Sequence, residues 1–195
     1  EADRLKTKDL ILRGRINSCM GYLCKQDSCF KEALVFYERA NDAFEKSGNE
    51  RRIANGLLSI AEQYINLKQY DKADSVLAVA ETYDIDSAYY ARMVDVEALA
   101  LYNQQLFDSA LILLLSIKDY PRNIEARCYS YMKIMHCYEY LNKLENAIVY
   151  ADDKQQCFKS GELHNNQITE SIISIECVFL FNRRCKSKSG YAEGC

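Results

Sequence analysis

Residues 57–80 read LLSIAEQYINLKQYDKADSVLAVA, and two spacings within them decide the fold. Leu57, Ile60, Ala61 and Tyr64 stand at i, i+3, i+4 and i+7, which places them on one stripe of a helix. After a polar interruption at Lys68 and Gln69, Ala73, Leu77 and Ala80 resume helical spacing. The stretch predicts two helices joined by a turn so short that they must lie antiparallel.

The pattern recurs along the chain. Ala33, Ala73, Ala110 and Ala147 each follow an aromatic or leucine by three residues (Phe30, Tyr70, Phe107, Leu144), at separations of 40, 37 and 37. Upstream of each alanine stands a helical stripe: Asn17, Met20, Gly21 and Cys24, then the quartet from Leu57 to Tyr64. Val94, Glu97, Ala98 and Leu101 follow, and last Tyr131, Ile134, Met135 and Tyr138. The small members Gly21, Ala61 and Ala98 predict close approach of a neighbouring helix. Second stripes follow at Ala33, Tyr37 and Ala40, at Ala110, Leu114 and Ile117, and at Ala147 and Ala151. Such a period marks stacked two-helix units, whose function is sought on a continuous surface rather than in an enclosed pocket.

These residues resemble the tetratricopeptide (TPR) repeat, whose motif sets a large apolar residue, a Gly or Ala, a Tyr, an aromatic, an Ala, a further aromatic and a last Ala over about 34 residues. The second unit matches best, from Leu57 through Ala61, Tyr64, Tyr70 and Ala73 to Ala80; Gly21, Phe30, Ala33, Tyr37 and Ala40 match nearly as well. The resemblance covers residues 14–155. It implies an all-α, TPR-like right-handed superhelix of antiparallel helix pairs, an α-solenoid. As one array over 1–195 it has repeats at 14–47, 54–87, 91–124 and 128–161 and a terminal or capping helix at 165–185.

This chain departs from the motif in places. Its period exceeds the family's, so extra residues lengthen the second helices or the loops after them. Glu97 stands where a large apolar residue belongs, Met135 fills a small residue's place, Lys154 replaces the last small residue of the fourth unit, and Asn17 opens the first. Burial of Glu97 would raise its pKa, so the expectation is that the third first-helix rolls until Glu97 reaches solvent. Extrapolating the period puts residues 1–8 on the tail of a preceding second helix. Lys46-Ser47-Gly48 and Lys159-Ser160-Gly161 read as helix ends with a glycine cap. Ile168, Ile172, Ile175, Val178 and Leu180 have near-helical spacing.

No stretch reaches the ~18 apolar residues of a membrane span. With net charge -3 and basic residues dispersed among acids, the chain lacks the clustered positive face that nucleic acid requires. Nine cysteines cannot all pair within one chain, and none forms C-x-x-C; Cys19, Cys24 and Cys29 are five apart, which points them in different directions. They read as structural thiols, with no metal and no cofactor, and mildly favour a reducing, cytoplasmic compartment. The two histidines, His136 and His164, have no catalytic partner at a recognisable spacing, and no phosphate loop or hydrolase motif occurs. A Cys/His pair such as Cys137 with a distant histidine stands as a remote catalytic alternative. The expectation is a non-enzymatic chain.

In TPR-like arrays the first helices line a concave groove, and the register carries its positions onto this chain. They are Arg15, Ser18, Tyr22, Lys25 and Gln26 on the first unit, and Asn55, Leu58, Glu62, Ile65 and Asn66 on the second. The third supplies Arg92, Asp95, Leu99, Tyr102 and Asn103, and the fourth Tyr129, Met132, His136, Glu139 and Tyr140. Tyrosine offers a stiff amphipathic surface suited to anchoring a peptide or helix of a partner protein. Two other occupants stay open, the chain's own segment near residues 168–181 and a second copy, giving a homodimer. The family's chaperone-tail clamp is not matched, since its places hold Ser18, Tyr22, Ser59, Arg92 and Val96. The wording around Tyr70–Ser75 and Asp108–Ile117 resembles bacterial signalling-associated TPR proteins, which implies a sensory or regulatory domain and often the cell envelope.

Overall fold

The computed structural model describes residues 2–83, 85–120 and 124–153, and every one of these is helical or in a turn or connection between helices. The chain divides into two units, Glu1–Gly161 and Glu162–Cys195, and all described residues belong to the first. Among the described residues eight helices follow in order: α1 Ala2–Gln26, α2 Phe30–Ser47, α3 Glu50–Asn66, α4 Tyr70–Ala80, α5 Ser87–Asn103, α6 Phe107–Ser116, α7 Ile124–Tyr140 and α8 at 144–153. The helix expected at 165–185, the glycine cap at 161 and Lys154 lie outside the described residues.

One turn design joins the members of each pair. Ser28, Lys68, Gln105 and Asn142, each five residues before a repeat alanine, all adopt left-handed backbone, with φ of 59°, 58°, 64° and 56°. In the third pair the Gln105 N–H donates to the Tyr102 carbonyl at 3.0 Å and the Leu106 N–H to the Leu101 carbonyl at 2.9 Å; the other three turns bond alike. This paired closure satisfies the last carbonyls of the first helix and reverses the chain at once. Gly48 ends α2 in the same way at φ 67°. There the conformation is occupied by the residue that adopts it without strain.

The repeat alanines are the hubs of the packing. Ala33, Ala73 and Ala110 are wholly buried and Ala147 nearly so, since only a methyl fits between two helix backbones at their crossing. Gly21 serves the same end from the other side. A Cβ there would come within 3.0 Å of the Tyr37 ring, and one at Gly14 would collide with Phe44. Residue 14 facing 44 and 21 facing 37 makes α1 and α2 antiparallel. Gly56 lies against Asn41, Ile60 packs with Tyr37 and Ile53 with Phe44, so α2 and α3 are antiparallel too.

The largest core holds Ala54, Leu58, Ala61 and Ile65 of α3, Ala73, Leu77 and Ala80 of α4, and Tyr89, Val96 and Ala100 of α5. A second, around Ala98, Ala110, Leu114, Ile134 and Cys137, binds α5, α6 and α7. Each helix pair thus buries its apolar surface partly within itself and partly against the next pair.

Two local expectations, on residues 2–8 and on Glu97, are corrected, while the extra length expected in the second helices or the loops after them is found there. Residues 2–8 begin α1 itself, which runs unbroken to Gln26, so they are not the tail of a separate helix. The extra length of the period falls in α2, with 18 residues, while α4 and α6 have 11 and 10 and are followed by longer connections. Glu97 does not roll free. It is half-buried, and desolvation, reinforced by the nearby Glu81, raises its carboxyl above the ordinary value.

Candidate functional site

Bonds link the first helices α1, α3, α5 and α7 in chain order; α1 and α3, each antiparallel to α2, run the same way, and bonds at two levels show α5 and α7 parallel. Lys25 Nζ on α1 donates to Glu62 Oε1 on α3 at 2.6 Å. Arg92 on α5 donates through Nη1 to the Asn55 side-chain oxygen at 2.6 Å and carbonyl at 3.1 Å, and through Nη2 to Ser59 Oγ at 2.8 Å. Between α5 and α7, Asp95 Oδ1 accepts from Ser130 Oγ at 2.8 Å and from Lys133 Nζ at 2.9 Å, and the Tyr102 hydroxyl is hydrogen-bonded to His136 Nδ1 at 3.2 Å. Most of these pairs are separated by close to one repeat period, so equivalent positions on neighbouring helices meet.

Of the residues expected to line this face, several therefore hold the helices together. Glu62, Arg92, Asp95, Tyr102 and His136 are tied across it as described, and Asn66 donates through its side-chain nitrogen to Gln63 Oε1 at 3.5 Å within α3. Leu58 and Ile65 are not on the face at all. Both are wholly buried in the core between α3, α4 and α5, because α3 must bury one stripe against the second helices and another against α5. Leu99 and Met132 are partly buried, Leu99 against that same core. Tyr22, Asn103, Tyr129 and Tyr140 are exposed. The Tyr140 ring stacks on Phe107 with centroids 4.2 Å apart, and Phe107 meets Tyr102 edge-on at 5.6 Å.

At the other end of the face lies a cleft of about 500 Å³. Arg15, Arg51, Arg52 and Arg92 line it, together with neutral polar groups such as Asn49 and Ser59, and no carboxylate stands among its described lining residues. Asn49 caps α3, accepting from the Arg52 N–H at 3.1 Å. The Arg52 guanidinium sits over the Phe44 ring at 5.6 Å, and Arg51 pairs with Asp86 at 2.6 Å. The Tyr89 N–H, followed by Arg51, holds the Asp86 carboxyl below its ordinary pKa. Arg51 and Arg52 escape a reading based on the repeat motif because they precede its first position at 54. The signal available was the pair of arginines at 51 and 52 beside the equivalent positions Arg15, Asn55 and Arg92.

Burial pushes the Cys137 thiol up to about 11, so it stays protonated and non-nucleophilic at neutral pH. Cys128, buried on α7, is disulfide-bonded. Cys19, Cys24, Cys29 and Cys137 are thiols. The expectation of structural thiols throughout fails at that position. Among the described residues no group of acidic, histidine or cysteine side chains is placed to hold a metal ion, and no helix is long and apolar enough to cross a membrane.

No family model matches the sequence, and no curated protein or solved structure matches it either.

Proposed function

We propose that the chain is a TPR-like right-handed superhelix acting as a non-enzymatic interaction module, with the face of its first helices forming a groove for a peptide or helix of a partner protein. Four helix pairs with identical turns and period-spaced bonds between first helices support the solenoid reading. The observation that carries the function is that this one face combines an open arginine-lined cleft with the exposed aromatic rings of Tyr22 and Tyr129. Bonds such as Arg92 to Asn55 hold the face in one shape, so little ordering entropy is lost when a ligand lands on it. Aromatic anchors beside fixed polar groups are the usual make-up of a peptide-binding surface.

Selection of binders from a random peptide display library tests this. The reading predicts that enriched peptides lose at least ten-fold in affinity with Tyr22→Ala or Tyr129→Ala and keep it with Ile112→Ser, which alters an exposed residue of α6. Enrichment of nothing, or sensitivity to Ile112→Ser in place of the tyrosines, would overturn it.

A further inference from the structure

The cleft at the α1, α3 and α5 end of the face differs in charge from the rest of the molecule. The chain as a whole carries -3, yet four arginines from three helices converge on this recess. Asp86 offsets Arg51. Arg92 gives its hydrogen bonds to neutral oxygens of Asn55 and Ser59, which fix the guanidinium without cancelling its charge. Arg52 is held by its own backbone cap and by the Phe44 ring beneath it, and Arg15 projects from the exposed side of α1.

Three positive charges are therefore gathered without a counter-charge in the lining. Positive groups so close in a recess repel one another and focus a field that attracts an anion. A guanidinium suits a carboxylate in particular, since its planar fork donates two parallel hydrogen bonds. The volume is at the lower end of that of small-ligand sites, room for a few side chains but not for a folded domain.

We propose that this cleft receives an acidic segment of the partner protein, two or more carboxylates of which are gripped by Arg15, Arg52 and Arg92. The proposal rests on the reading of the first-helix face as a peptide groove and names the chemistry of its ligand. Tyr22 and the cleft lie on the same face, so one peptide can be held by charge at the cleft and by an aromatic contact beyond it.

Fluorescence anisotropy with a labelled hexaglutamate peptide tests it on the full chain, with hexaglutamine as control and inorganic phosphate as competitor. Hexaglutamate is expected to bind at least ten-fold more tightly than hexaglutamine, to weaken as salt is raised, and to lose at least ten-fold with Arg15→Glu. Arg15 is exposed, so that variant keeps the helical circular dichroism of the parent; Arg52→Gln gives a second, independent loss. Equal binding of the two peptides, or unchanged affinity in both variants, would overturn the proposal. So would displacement of hexaglutamate by phosphate at concentrations below that of the peptide, which would make the cleft a phosphate site. If display-selected neutral peptides still depend on Tyr22 or Tyr129 while hexaglutamate fails, the interaction reading stands and the acidic ligand falls.

Discussion

Lys133 on α7 reaches back to Asp95 on α5 at 2.9 Å, with side chains only 11% and 22% exposed. Ser130 donates to the same Asp95 oxygen, so one carboxylate ties two positions of the next first helix. Removing it would leave the Lys133 ammonium buried without its counter-charge. Breaking such a pair from one side costs several times what the intact pair contributes. Asp95→Ala is expected to lower stability by about 2–4 kcal/mol, read from the urea midpoint. The double variant Asp95→Leu with Lys133→Met is expected to recover most of that loss. If the double variant is as unstable as the single one, the ion pair is not what couples these helices.

Glu97 gives a prediction with a defined pH dependence. Its folded-state pKa is raised above the ordinary value of 4.5 by desolvation and by Glu81. Just above 4.5 the folded state therefore binds more protons than the unfolded state, and stability falls as pH rises through that window. The penalty is complete once pH exceeds the folded pKa and absent below 4.5. Glu97→Gln is expected to be more stable than the parent at pH 7, by on the order of 1 kcal/mol, and no more stable at pH 4. An advantage that is the same at both pH values would show that charge is not its source.

Gly14 faces the ring of Phe44, a residue buried in the contact between α2 and α3. In an isolated helix Gly14→Ala would stabilise by about 1 kcal/mol. Here the new methyl would collide with the Phe44 ring, which must shift to admit it, and overpacking of this kind costs about 1–3 kcal/mol. The variant is expected to melt at a lower temperature than the parent. A rise would mean that α1 and α2 are not so closely apposed at this point.

The inter-helix turns allow the opposite experiment. Gln105 is exposed and holds φ at 64°, a conformation costly for any residue with a Cβ. Gln105→Gly is expected to raise stability by roughly 0.5–1 kcal/mol, the relief of strain exceeding the added freedom of the unfolded chain. Thermal melting reads the change, and a decrease would contradict the turn geometry.

The helices, their pairing and the hub alanines could be read from sequence because each follows from local spacing, which every copy states again. Gly48, Ala73 and Ala110 are placed where periodicity puts them. The face was harder to read, for a physical reason. An inner first helix buries two stripes, one against the second helices and one against the next first helix, and periodicity marks apolar positions without saying which neighbour they meet. Leu58 and Ile65 belong to the second stripe. Across the face, partners such as Lys25 and Glu62 or Arg92 and Asn55 are offset by 37 residues, so complementary residues one period apart were the sign of structural pairing rather than of free ligand-binding groups. Arg51 and Arg52 escape the motif because the cleft draws on the first residues of α3, which precede the motif's first position, as well as on the motif itself.

Hydrogen exchange measured on the full chain, with and without a saturating display-selected peptide, tests the first-helix face as the binding surface most directly. The account predicts slowed exchange in α1, α3 and α5, strongest around Arg15, Arg52 and Arg92, with α4 and α6 unchanged. Protection confined to the second helices, or an exchange pattern that the peptide does not alter, would contradict it.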